Sequence, residues 1–165
     1  MSDLKALMLA PPRLTLAVAE SLTCGRLQAR IGAIPGASEF FLGGITAYSL
    51  AQKVRHLGVD RAGAEAVNSV SEAVALQMAR GACALFGSDV AVATTGYAEP
   101  SPQWRVEAPF AWWGLAGTRR GELTVLSARV DCPGLSRVEV QERVALAALD
   151  ALVGWLRETA GPRTA

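Results

Sequence analysis

Apolar residues along this chain fall into short runs set apart by stretches containing glycine, serine and proline. Leu14 to Ala19 is continuously apolar and too short for a core helix, which predicts a strand buried on both faces. Phe40 to Tyr48 predicts a second strand, where Gly43-Gly44 marks a bulge or a close backbone approach. Asp89 to Thr95 predicts a third, apolar until it meets Thr94-Thr95-Gly96. Helical segments lie between them: residues 2–9, stopped by Pro11-Pro12; Thr23 to about Ile31, ending in Gly32 to Gly36; and Ser49 to Leu57, closed by Gly58. Ser69-Val70-Ser71-Glu72 has the capping-box spacing that starts a helix, with Val74, Met78 and Leu85 as its apolar positions. Ala111 to Ala116 and Leu123 to Val130 predict an antiparallel pair joined around Thr118 to Gly121. Ser136 with Glu139 forms another capping box, and the last helix runs to about Glu158, with Gly161 and Pro162 beyond it.

Early alternation of strand and helix followed by a late hairpin predicts an α/β protein. Its form is a three-layer α/β/α sandwich around a mixed, mostly parallel sheet of about five strands, one of them antiparallel. The length of 165 residues suits a single domain spanning 1–165. Ala98 to Pro109, with three prolines, is the longest irregular stretch; it is expected to border a site, because the strands on either side belong to one sheet.

Composition narrows the function classes. The chain is 51% hydrophobic and 19% charged with a net charge of +1. Such a chain is globular and lacks the basic stripe of a nucleic-acid binder, so no nucleic-acid partner is expected. Cys24, Cys83 and Cys132 are far apart and His56 is the lone histidine, so neither a metal site nor a disulfide framework is expected. No apolar stretch approaches a membrane span or a signal-peptide core, which gives the expectation of a soluble, cytoplasmic protein without a membrane partner.

Ligands of open α/β sheets gather beyond the carboxyl ends of the strands. Three predicted strands end in polar residues: Glu20-Ser21, Tyr48-Ser49 and Thr94-Thr95-Gly96. Lys53, roughly one helical turn beyond Tyr48, leans back towards the same crevice. A lysine whose pKa is lowered by burial can take the proton of a serine hydroxyl, so Ser21, Tyr48 and Lys53 could form a Ser-Lys hydrolase site. The same residues also suit a helix cap, strand-end packing and a solvated side chain. Cys24 reads as a small buried hydrophobe before a reactive thiol, and His56 as a surface side chain. Trp112 and Trp113 must point to opposite faces of their strand, whereas Trp104, on the loop, is better placed to stack on a ring.

Several motifs at consistent spacing carry a resemblance over nearly the whole chain: Ala19-Glu20-Ser21-x-Thr23-x-Gly25, Pro35-Gly36-Ala37-Ser38, and Gly43-Gly44-x-x-x-Tyr48-Ser49-x-x-x-Lys53-Val54-x-x-Leu57-Gly58-Val59. Val70-Ser71-Glu72, Met78-Ala79-x-Gly81 and Thr95-Gly96-x-Ala98-x-Pro100 continue it. The chain resembles the C-terminal domain of the CinA family, known as nicotinamide-nucleotide amidase. The resemblance implies hydrolysis of the amide of nicotinamide mononucleotide or a related pyridine nucleotide without a cofactor. Ser21 would be the nucleophile, Lys53 the general base and Tyr48 their support. Thr95, with Gly96, would lie near the substrate, and Arg137 matches an arginine at the start of the last helix. Thr23 and Gly25, feeding a helix N-terminus, would hold the phosphate through backbone donors. Members often form homo-oligomers, which is expected here too, and many carry an N-terminal cofactor-domain partner, which is not expected here.

Departures from the family pattern cluster at the ligand end. Cys24 and Glu99 each stand where the family has glycine. Ser101 to Val106 replaces a Gly-Gly pair, and Ala111-Trp112-Trp113 replaces a glycine followed by a smaller residue. They motivate a second expectation, a catalytically silent paralogue that binds a ligand or a protein.

Overall fold

A computed structural model describes residues 3–160. A short helix α1 (Leu4–Leu9) leads into β1 (Leu16–Glu20) and α2 (Arg26–Gly32). Next come β2 (Phe41–Thr46), α3 (Leu50–Leu57), α4 (Arg61–Glu65) and the long α5 (Glu72–Phe86). Three strands and a helix complete the chain: β3 (Val90–Tyr97), β4 (Phe110–Arg119), β5 (Glu122–Asp131) and α6 (Arg137–Ala160). The sheet order is β2-β1-β3-β4-β5. β1 pairs in parallel with both β2 and β3, and β4 runs antiparallel to both its neighbours. The expected three-layer sandwich with one reversed strand is therefore the observed architecture.

Alternation along β1 and β3 divides the core. Leu16, Val18, Val90 and Val92 face α1, α2 and α6, where Met8, Leu27, Ile31, Leu152 and Leu156 fill the layer. Ala17, Ala19, Ala91 and Ala93 face the other way, towards Val74, Met78, Ala79 and Ala82 of α5 and Leu57 of α3. An alanine-floored face lets a helix lie close to the sheet. At Gly114 of β4 an added Cβ would stand 2.6 Å from the backbone of Ala75, and at Gly81 of α5 it would stand 2.1 Å from the carbonyl oxygen of Leu57. Both contacts are closer than a side chain tolerates, so these glycines set the spacing of α5 against the sheet and α3.

The elements differ from expectation in details with physical causes. Ser71, not Ser69, caps α5, accepting from the Val74 N–H; Ser69 instead sits in a left-handed turn at φ 61°. Leu85 is 48% exposed; it shares the helical face of Val74 and Met78 but lies at the very end of α5, beyond its buried positions, which stop at Ala82. α4 carried too little apolar pattern to be foreseen and is started by Asp60, whose carboxylate accepts from the Gly63 N–H. The Ser136–Glu139 capping pair is present, with Glu139 accepting from both the backbone N–H and the hydroxyl of Ser136. Gly161 and Pro162, expected beyond the last helix, lie outside the described residues. Among the described residues no helix is long and apolar enough to cross a membrane.

Candidate active site

Parallel β1, β2 and β3 deliver their carboxyl ends to one side of the sheet, and a cavity of about 570 Å³ opens there. Ser21, Tyr48, Lys53, Thr95, Gly96 and Arg137 all line it. Two further groups do so as well: Glu65, Asn68 and Ser69 on one wall, and Glu99, Ser101 and Trp104 on the other.

At the floor, the Lys53 ammonium donates to Ser21 Oγ at 3.0 Å and to the Tyr48 carbonyl oxygen at 3.2 Å. Lys53 is only 2% exposed and Ser21 7%. The lysine is delivered there by α3, whose buried positions are Lys53 and Leu57, one turn apart on the inward face. Among the described residues no carboxylate is paired with it; burial lowers its pKa from 10.5 to about 8, since removing a charge from water favours the neutral amine. A neutral amine can accept the serine proton, so the pair is equipped for nucleophile activation near neutral pH. Ser21 is fixed from behind: its N–H donates to the Thr94 carbonyl and its own carbonyl accepts from the Cys24 N–H.

The residue the sequence reading passed over is Glu20. Fully buried at the end of β1, its carboxylate accepts from the backbone N–H groups of Gly25, Leu27 and Gln28, the Thr23 hydroxyl and the Gln28 side chain. A carboxylate here takes the place an anionic ligand would hold at a helix N-terminus. The signal was available, since a carboxylate ending an otherwise apolar buried strand must find several donors.

This overturns the expected phosphate cradle. The Thr23 hydroxyl is buried between Glu20 and Thr94, the Gly25 N–H is engaged by Glu20, and neither residue lines the cavity. Thr95 does line it, but its hydroxyl donates to the Ser69 carbonyl at 2.6 Å. It thereby pins the Asn68-Ser69 turn, whose two residues have φ of 48° and 61°. Strained backbone of this kind clusters at ligand-contacting walls, and Asn68 further donates to the Tyr97 hydroxyl.

The rim is polar and open. The Arg137 guanidinium donates to Glu99 Oε2 and to the Tyr48 hydroxyl, each at 2.7 Å. Tyr48 therefore serves the floor through its carbonyl and the rim through its hydroxyl. The Ser101–Val106 segment closes on itself through paired backbone hydrogen bonds, presenting Trp104, 42% exposed, to the cavity. Cys24 is exposed, does not line the cavity, and holds φ 49°. The expected burial of Cys24 is therefore not observed; its side chain stands in water on a left-handed backbone that suits glycine. His56 is exposed on α3. Trp113 packs against the α6-side core.

The CinA C-terminal domain model matches residues 2–156. The chain belongs to that family. It is 40% identical over 158 residues, 94% of its length, to a CinA-like protein of Chlorobium limicola. It is 41% identical over 153 residues to another from Gemmatimonas aurantiaca. It spans about a third of the length of these relatives, 36% and 35% respectively. Among solved structures, it resembles a competence-damaged protein (CinA) superfamily protein from Klebsiella pneumoniae with a TM-score of 0.81 at 28% identity, covering 93% of each chain. A superfamily protein from Enterobacter cloacae gives 0.83 at 26%, covering 94% of this chain and 89% of that one.

Proposed function

We propose that this domain is an amidohydrolase acting on nicotinamide mononucleotide or a related pyridine nucleotide. The observation that carries the reading is the buried Lys53 amine 3.0 Å from Ser21 Oγ at the floor of a cavity large enough for a nucleotide-sized ligand. In its neutral form Lys53 takes the Ser21 proton, and the serine oxygen attacks the amide carbon. The tetrahedral oxyanion then collapses with transfer of the lysine-held proton to the departing nitrogen, releasing ammonia and leaving an acyl-serine. Water, deprotonated by the same amine, returns the carboxylate and free serine. In the turn after Ser21, the N–H groups of Cys24, Gly25, Arg26, Leu27 and Gln28 are engaged internally. The oxyanion donor is therefore assigned to the peptide group directly after the serine, that of Leu22, which lines the cavity. Trp104 offers a face to the pyridine ring at the opposite wall. The reaction draws on no metal and no cofactor.

Ammonia release from nicotinamide mononucleotide, with wild type and Ser21→Ala side by side, tests the reading. The expected result is turnover in the wild type and none in the variant. Equal rates, or no ammonia from either, would overturn it.

One observation favours the second reading, a catalytically silent domain that binds a ligand: Glu99 already occupies Arg137, the cation nearest the mouth. Saturable nucleotide binding without ammonia release would select it. Assembly into homo-oligomers and a cytoplasmic location belong to the same proposal, carried by the family alone.

A further inference from the structure

The cavity carries an unusual charge balance for a site that would take a phosphomonoester. Its lining includes two carboxylates, Glu65 and Glu99, and two basic residues, Lys53 and Arg137. Lys53 lies on the floor, beneath Ser21 and committed to it. Arg137, on the rim, is bonded to Glu99 through one amino group and to the Tyr48 hydroxyl through the other. The helix N-terminus closest to Ser21, a position that suits a phosphate, is filled by the Glu20 carboxylate. An incoming phosphate thus finds no uncommitted cation at the mouth, and it must either displace Glu99 from Arg137 or lie beside it.

We propose that Glu99 makes this site indifferent to a terminal phosphate, so that the pyridinium nucleoside is accepted as readily as its 5′-monophosphate. The proposal rests on the amidase reading and narrows its substrate class. Nicotinamide ribosides carry a fixed positive charge on the ring. A mouth holding Glu99 and the Trp104 face suits that cation through direct attraction and cation–π contact, while Glu65 is already paired with Arg61. The monophosphate keeps the same ring but adds a dianion that Glu99 opposes. Glu99 is 61% exposed and Arg137 45%, so the opposition is screened and its size modest. A phosphate dianion about 4 Å from a carboxylate, in a largely aqueous setting and partly screened by salt, is disfavoured by enough to change affinity about tenfold.

Calorimetric titration of nicotinamide riboside and nicotinamide mononucleotide into wild type and Glu99→Gln tests it, with ammonia release measured on the same four pairs. Wild type should bind the two ligands within about threefold of each other, and Glu99→Gln should shift the preference towards the monophosphate by about tenfold. Glu99 lies on an exposed loop, so the substitution leaves the fold intact, and an unchanged melting temperature verifies this. A wild type that already prefers the monophosphate by tenfold or more overturns the proposal. So does a preference that Glu99→Gln leaves unmoved, or an absence of binding by both ligands. The expected binding pattern without ammonia release in any pair would sink the amidase reading while leaving the assignment of Glu99 in place.

Discussion

The floor and the rim of the cavity are built on opposite terms. At the floor, Ser21, Lys53 and Glu20 are all less than a tenth exposed, and each side chain is hydrogen-bonded to other protein groups. At the rim, Tyr48 is 52% exposed and the Arg137–Glu99 pair stands in water. Burial makes the floor's electrostatics strong and its geometry fixed, at a cost in stability. Exposure makes the rim's interactions weak, exchangeable and free of such cost. The chemistry belongs to the first region and the choice of ligand to the second.

The sharpest break in that comparison is removal of the base. Lys53→Met should lower kcat by about 10³-fold or more, in line with loss of a positioned general base together with the nucleophile it activates. The floor also predicts a pH profile. Because Lys53 has its pKa lowered to about 8, kcat/KM should rise about tenfold per pH unit below 8 and level off above it. A profile flat from pH 6 to 9 would show that the amine is not the base.

Glu20→Ala is expected to be the most destabilising substitution at the floor. It strips the acceptor from three backbone N–H groups and two side chains at once, and leaving buried donors without partners costs about 3 kcal/mol or more. Urea unfolding measures this, and a loss below about 1 kcal/mol would mean that water replaces the carboxylate.

Lys53→Met should have the opposite sign on stability. The folded pKa of about 8 lies below the ordinary 10.5. Between those values the unfolded chain holds a proton that the folded one does not, so wild-type stability rises with pH across that window. Below pH 8 both states are protonated and the native state bears the full penalty, about 3 kcal/mol at roughly 1.4 kcal/mol per pH unit. The methionine variant should therefore be more stable than wild type at pH 7, with the advantage fading towards pH 10.5. A dead enzyme that melts higher than its parent is the signature of a buried catalytic lysine.

How far this division was legible in the sequence follows from the physics of each region. The scaffold and the floor are set by local rules: apolar runs of strand length, polar residues at strand ends, and a lysine one turn into a helix capped by Ser49. Ser21, Tyr48 and Lys53 could be read as convergent for that reason. Glu20 could not be given its role, because five donors from a later turn and helix meet it only after folding, and the phosphate cradle drawn from Thr23 and Gly25 failed on this point. The strained Asn68-Ser69 wall escaped notice likewise; it needs the Thr95 hydroxyl from another strand to hold it. Arg137 and Glu99, 38 positions apart, were both singled out in the sequence, yet their pairing is a tertiary fact.

The smallest expected effect is the one that probes the rim. Arg137 is the first residue of α6, where a cation opposes the helix dipole, and its ion pair is exposed. Arg137→Ala should therefore leave stability within about 0.5 kcal/mol. Its consequence lies in binding, since Glu99 would then face the cavity without a counter-ion. KM for nicotinamide mononucleotide should rise about tenfold with kcat changed less than about threefold, the pattern of a group that binds ground and transition states alike. In the double variant Arg137→Ala/Glu99→Gln most of that rise should vanish, because the repulsion is removed with its source. If instead the two substitutions add, or Arg137→Ala lowers kcat as severely as loss of Lys53, the rim and floor form one catalytic unit and the division drawn between them fails.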